Sequence, residues 1–216
     1  GIALKASACI DQWQQDQPDH FKFIQADLSK QANCQQVIDH FKAKYDRLDV
    51  LCNTAGQLDD FRPLDQVSFD QWDQIMQTNL YSIFYLTKGF LPYLLQNPSS
   101  RLINMASIAS LTAGGGGLAY TTSKHAIAGF TKQIAYDYSS MGLRANAIAP
   151  GAIATPMNQA DFQGEAAMAQ WVADQTPVKR WASPEEVAQL TLFLASDASD
   201  YLSGVVIPLD GGWMIR

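Results

Sequence analysis

The sequence predicts one α/β domain with a doubly wound parallel sheet and helices on both faces. Three observations carry this. Short apolar runs alternate with longer amphipathic ones, the pattern of successive βαβ units. The strand-like runs are continuous rather than alternating, as expected when helices cover both faces of a sheet. Small and polar residues gather just after those runs, where open parallel sheets hold ligands.

Taken in order, residues 21–27 read as a strand with Phe21, Phe23 and Gln25 on one face. Residues 29–46 read as a helix capped by Ser29, with Val37, Ile38, Phe41 and Tyr45 at helical spacing. Residues 48–53 form a buried strand and 68–96 one long helical region. Residues 101–107 are a strand, 122–142 a helix closed by Gly142 just past its end, and 144–151 a strand. A helix over 183–196 opens with Ser183 as N-cap, Pro184 in the first turn and Glu186 at the capping-box position. A last strand and turn occupy 203–212.

Composition narrows the function classes. The 216 residues suffice for one sizeable core, and 47% hydrophobic content with 17% charged residues marks a globular chain. A net charge of −6 argues against nucleic acid and anionic membranes as partners. No apolar run approaches membrane-spanning length. Cys9, Cys34 and Cys52 read as free thiols of a cytoplasmic protein, and the three histidines form no metal-ligating cluster.

The chemistry-bearing residues lie at the strand ends and in one helix. Asp27-Leu28, Asn53-Thr54-Ala55-Gly56, Ser107 and Pro150-Gly151 each follow a strand, with Ile153 and Thr155 close behind. Tyr120 and Lys124 stand four apart, on one face of a helix. An ammonium beside a phenol lowers its pKa and equips it as a proton donor near neutral pH. Singly, each feature has a plain structural reading as a turn, a cap or a polar patch.

As a set they resemble the short-chain dehydrogenase/reductase family, short-subunit type, and its 3-oxoacyl-[acyl-carrier-protein] reductases in particular. The carriers are Asp27-Leu28, Asn53-Thr54-Ala55-Gly56, Asn79, Ser107, Tyr120-x-x-x-Lys124, and Pro150-Gly151 with Thr155. Thr54 departs from the family's usual second asparagine. The resemblance runs from about residue 20 to Asp210-Gly211-Gly212. It implies a Rossmann-like fold and hydride transfer between a nicotinamide cofactor and a carbonyl or secondary alcohol. The substrate it implies is a 3-oxoacyl thioester or small ketone, with a polyol as the alternative.

By the same resemblance, Tyr120 is the general acid/base and Lys124 lowers its pKa and binds the nicotinamide ribose. Ser107 steadies the substrate oxygen, and Asn79 holds a proton-relaying water. Asp27, Leu28, Asn53, Ala55, Gly56, Pro150, Gly151, Ile153 and Thr155 join Tyr120 and Lys124 at the cofactor. Residues 156–182 form a substrate-covering lid within the single domain 1–216, carrying Met157, Phe162, Met168, Trp171, Val172 and Trp181. Helices 68–96 and 122–140 pair copies into a homodimer or homotetramer through Phe84, Tyr85, Phe90 and Tyr93.

The glycine-rich turn that binds the cofactor's pyrophosphate in such folds is not among these residues. Gly114 to Gly117 follow no strand and precede Tyr120; they read as pocket-shaping loop or as slack. Residues 1–3 match the end of the family's second strand, so the first βα unit is missing and the chain reads as incomplete at its start. The chain alone is expected to bind cofactor poorly. Ala3, aligned where an acidic residue selects NAD, with Lys5 nearby, points to NADP, with NAD the alternative. A non-catalytic protein of the same fold and a nucleotide-sugar epimerase are the rival readings.

Overall fold

The computed structural model describes residues 1–6, 8–163 and 167–216. Its strands run parallel in two sheets. One pairs β1 (Ile2–Ala3) with β2 (Ile24–Gln25); the other orders β3 (Val50–Asn53), β4 (Ser100–Met105), β5 (Leu143–Pro150) and β6 (Val206–Leu209). Among the described residues no strand joins the two sheets, and the doubly wound fold lacks its first βα unit.

Strand alternation sorts the core onto two faces. Leu51 and Leu102 turn toward α2 (Gln31–Lys42) and α4 (Ser82–Leu94), where they meet Val37, Ile38, Leu86 and Phe90. Ile2 and Ile24 pack against the same cluster, so one core holds both sheets. Val50 and Ile103 turn the other way, onto Leu190 and Leu194 of α7 (Pro184–Ala195). Helix α5 (Leu118–Tyr138) lays Ile127 against Ala106 and Ala147.

Several expected elements change at their edges. The strand at 21–27 shrinks to Ile24–Gln25, and Phe21 instead meets Trp13 of α1 (Ala8–Asp16) edge-on at 5.6 Å. Ser29 does not cap α2: its N–H and hydroxyl both donate to Asp27 Oδ1, and Lys30 is the N-cap without a side-chain bond. Tyr45 lies beyond the end of α2, exposed, with its ring on Phe41 at 5.0 Å. Phe90 is buried and so offers no pairing surface, while Tyr93 is half-buried and packs edge-on against Phe41. The capping box of α7 forms, with Glu186 accepting from the Ser183 N–H at 2.9 Å. Gly142 ends the turn after α5 at φ 92, where a side chain would strike the Pro98 carbonyl.

The long region 68–96 is not one regular helix. α3 (Phe69–Met76) passes through a π turn over Gln77–Tyr81 into α4. Its start is a reciprocal cap, with Gln71 N–H donating to Ser68 Oγ and Ser68 N–H to Gln71 Oε1. The π turn widens the helix at Asn79, which is fully buried.

A buried polar chain crosses the sheet near its ligand-facing end. Asn53 and Asn104 stand opposite each other in β3 and β4. Asn53 Nδ2 donates to Asn104 Oδ1 at 2.9 Å and to Thr87 of α4 at 3.3 Å. Asn104 Nδ2 donates to Thr131 of α5 at 2.9 Å. Replacing Asn104 with Leu removes the central acceptor and strands the Asn53 amide in an apolar setting. A loss of about 3 kcal/mol is expected in urea unfolding; a change under about 0.5 kcal/mol would mean the chain contributes nothing.

Candidate active site

The site starts at the first turn of α5. Gly117, its N-cap, has no side chain to satisfy the free amides. Asp59 supplies it from the loop after β3. Asp59 Oδ1 accepts from the Gly117 N–H at 2.7 Å, and Oδ2 from the Tyr120 N–H at 3.0 Å. A Cβ at Gly117 would lie 2.6 Å from that carboxylate, so glycine is what lets the two approach. The negative charge also sits where the helix dipole favours it. Asp59 had no signal in the sequence near α5, because it comes from 58 residues upstream.

Tyr120 and Lys124 share one face of α5, as the spacing requires, and both are buried. Lys124 Nζ donates to the Met105 carbonyl at 2.8 Å and lies 5.4 Å from the centre of the Tyr120 ring. Burial pulls its pKa down to about 8. The expected effect on the tyrosine is not what the structure gives. Burial raises the Tyr120 pKa above the usual phenol value; a hydrogen bond with Ser107 opposes the rise, and the Asp59 charge adds to it. Desolvation is the largest influence on the phenol, and Lys124 is not among the groups that shift it.

Ser107 follows β4 and caps the short turn Ile108–Ser110, accepting from the Ala109 N–H at 3.1 Å. Asn79 Oδ1 accepts from the Gln57 N–H at 2.7 Å, while Nδ2 donates to the Gln57 carbonyl at 2.9 Å and to Ser123 at 3.1 Å. Both amide hydrogens are therefore used in pinning the turn after β3 to α5. That clamp is what the Asn79 side chain makes here, and the proton-relay role the resemblance implies for this residue stands beside it as a proposal.

These elements open onto one cavity of about 730 Å³. Thr54, Gly56, Ser107, Tyr120 and Lys124 line one side. Pro150, Gly151, Ile153 and Thr155 line it from the end of β5. Gly114 and Gly115 also reach it, which favours the pocket-shaping reading of the glycine run. Asn53, Ala55, Asn79, Asp27 and Leu28 are not among the lining residues; Asn53 and Asn79 are buried, Ala55 is exposed, and Asp27 and Leu28 follow β2.

The segment expected to form a lid contributes to the same lining, with residues 164–166 outside the described residues. Met157, Met168, Trp171, Val172 and Trp181 line the cavity, whereas Phe162 stacks on Trp181 at 4.8 Å. Trp181 Nε1 donates to the Ala169 carbonyl of α6 (Ala167–Gln175) at 2.9 Å. Sequence reading missed Trp213, which lines the cavity and meets Trp171 edge-on at 6.3 Å. It also missed Phe61, which lines the cavity with its backbone at φ 57.

Residues 3–214 match the family model described as Enoyl-(Acyl carrier protein) reductase. The chain is 32% identical over 211 residues to a 3beta-hydroxysteroid dehydrogenase 2 of Eggerthella lenta, covering 97% of this chain and 81% of that one. It is 36% identical over 182 residues to a 3-oxoacyl-[acyl-carrier-protein] reductase of Thermotoga maritima, covering 83% and 72%. A solved structure of a gluconate 5-dehydrogenase from Burkholderia cenocepacia, in complex with NADP and tartrate, superposes with a TM-score of 0.86. It is 29% identical, covering 96% of this chain and 81% of that one.

The Asp59 cap is open to a direct test. Asp59→Asn removes the charge and one acceptor from the start of α5. The variant should lose about 1–2 kcal/mol in thermal or urea unfolding. Because the Asp59 charge raises the Tyr120 pKa, the alkaline tyrosinate absorbance of that residue should move to lower pH. An unchanged titration would show that the carboxylate does not reach the phenol electrostatically.

Proposed function

The chain belongs to the short-chain dehydrogenase/reductase family, and on that premise we propose that Ser107, Tyr120 and Lys124 carry its oxidoreductase chemistry on a carbonyl or secondary alcohol. The observation behind this is their convergence on one cavity at the strand ends. The finer substrate reading is a 3-oxoacyl thioester or small ketone, in line with the Thermotoga maritima relative. A polyol dehydrogenase would use the same three residues, but the tryptophans and methionines of the lid favour a less polar compound.

A nicotinamide dinucleotide, when bound, supplies or takes up the hydride. The residues present fit such a group. Lys124 uses one donor on Met105 and has two left for ribose hydroxyls. A Cβ on Gly56 would stand 3.5 Å from Lys124 Nζ and 3.6 Å from Asn79 Oδ1, so glycine keeps that corner open. Asn53 Oδ1 is buried without a partner. Pro150, Gly151, Ile153 and Thr155 would flank the nicotinamide, and Asp27 and Leu28 the adenine. Neutral Ala3 at the end of β1, with Lys5 exposed beyond it, tolerates a 2′-phosphate. NADP is therefore the proposed cofactor, as in the Burkholderia cenocepacia structure.

Tyr120 holds a proton at its hydroxyl through neutral pH and gives it to the oxygen on which charge develops. Ser107 donates to the same oxygen and steadies that charge. The Lys124 ammonium, in a dry setting, favours the anionic form of whatever faces it. We read the protein as cytoplasmic. Pairing of copies through α4 and α5 would use Phe84, which is exposed, and Tyr85, which is half-buried.

Tyr120→Phe tests the reading. Ketone reduction should fall about 10³-fold, while NADPH binding, followed by cofactor fluorescence, stays within threefold. The raised Tyr120 pKa sets the pH dependence. Carbonyl reduction needs the phenol and should be level between pH 6 and pH 8. Alcohol oxidation needs the phenolate and should climb with pH toward tenfold per unit. A Tyr120→Phe variant that keeps its activity would remove Tyr120 from the chemistry.

A further inference from the structure

The part of the cavity wall supplied by residues 157–181 and by Trp213 is largely apolar, with Asn158 and Asp161 as its polar members, and holds no basic side chain among the described residues. Trp171, Trp181 and Trp213 line it together with Met157, Met168 and Val172. The whole segment 156–178 contains no Lys, Arg or His, but three acids: Asp161, Glu165 and Asp174. Asp161 itself lines the cavity. Lys124, deep beside Tyr120, is the basic side chain lining the cavity among the described residues.

The neighbouring cations are engaged with partners, and one of them, Arg216, lies on the wall's own Trp213. Arg180 is held by both carboxylate oxygens of Glu186, at 2.7 and 2.8 Å. Lys179 donates to the Asp174 carbonyl at 2.6 Å. The Arg216 guanidinium lies 3.4 Å from the centre of the Trp213 ring and donates to Gln175. Arg62 pairs with Asp60 at 3.3 Å.

A substrate carboxylate or phosphate entering here would be desolvated against tryptophan and methionine and would face Asp161. Without a partner, that is costly. A ring-sized apolar body would instead gain contact with flat aromatic walls. The geometry points to an uncharged carbonyl compound with a bulky apolar body as the substrate class, and to Asp161 as a residue that excludes anions. Sugar acids, and compounds whose carboxylate or phosphate would have to lie inside this cavity, fall outside that class. This rests on the reading that the cavity takes the carbonyl substrate.

A pair of ketones matched in size separates the charge effect from the shape effect. Ethyl 4-oxocyclohexanecarboxylate and 4-oxocyclohexanecarboxylate differ chiefly in the charge at the far end from the ketone. Binding is read first, by quenching of the cavity tryptophans, and turnover second, by NADPH consumption. The ester should bind at least about tenfold more tightly and be reduced with a kcat/KM about 100-fold higher. Asp161→Asn should narrow the ester-to-acid ratio several-fold, and Asp161→Lys should narrow it further. Equal binding and turnover of the two ketones, with the ratio unmoved in both variants, would overturn the substrate class while leaving the hydride-transfer reading intact. Tight ester binding with NADPH bound but not consumed would leave the class standing and remove the hydride-transfer reading. Binding of neither ketone would overturn the class.

Discussion

The buried hydrogen bond between Asn53 and Asn104 is the constraint on which the site depends. It lies between two adjacent strands, and its neighbours Thr87 and Thr131 belong to helices α4 and α5. An unpaired amide at this depth would cost more than most single contacts contribute. The four side chains therefore hold one relative placement of sheet and helices, because sliding either helix would break a buried donor–acceptor pair. Tyr120 and Lys124 ride on one of these helices, and the turn that ends in Gly56 begins at Asn53. The precision of the site is set below it, in the sheet.

The same logic continues upward through three clamps. Asn79 grips the Gln57 backbone by both its N–H and its carbonyl. Asp59, two residues on, grips the start of α5. Lys124 reaches across to the Met105 carbonyl at the end of β4. Each joins two different elements. Burying Lys124 is nonetheless unfavourable. Lowering an ammonium from 10.5 to about 8 corresponds to about 3 kcal/mol. That cost is present below pH 8 and is lifted as pH rises from about 8 toward 10.5. A fold that keeps such a group dry does so for what the charge does in the cavity, not for stability.

Much of this could be read from the sequence, and the failures have physical causes. The strand-end residues and the Tyr120–Lys124 face were legible because strand and helix periods fix direction locally. The π turn was not, since Gln77 to Tyr81 are compatible with an ordinary helix and only packing widens it. Asp59 was not legible either: a cap borrowed from a distant loop leaves no mark beside the helix it caps. The sign of the Tyr120 shift was misjudged for a related reason. Spacing says that a lysine is near, but not whether it faces the hydroxyl or the ring, nor how dry the phenol is. Phe90 looked like surface in a helix rich in aromatics, but it is buried edge-on against Phe41.

The two sides of the cavity are built by different physics, and this bears on how the protein could diverge. The Tyr120 side is a lattice of directional hydrogen bonds, where one substitution leaves a buried group without a partner. The tryptophan side rests on ring contacts, Trp171 on Trp213 and Phe162 on Trp181, with a single indole hydrogen bond to Ala169. Such contacts are individually modest and tolerate exchange of one apolar group for another. On the proposed reading, chemistry falls to the side that cannot vary, and substrate shape to the side that can. Charge is the exception. A cation introduced on the lid would need a partner or a substrate anion to justify its burial, so a shift toward anionic substrates requires a coupled change rather than drift. The acids of segment 156–178 make that barrier higher in this chain.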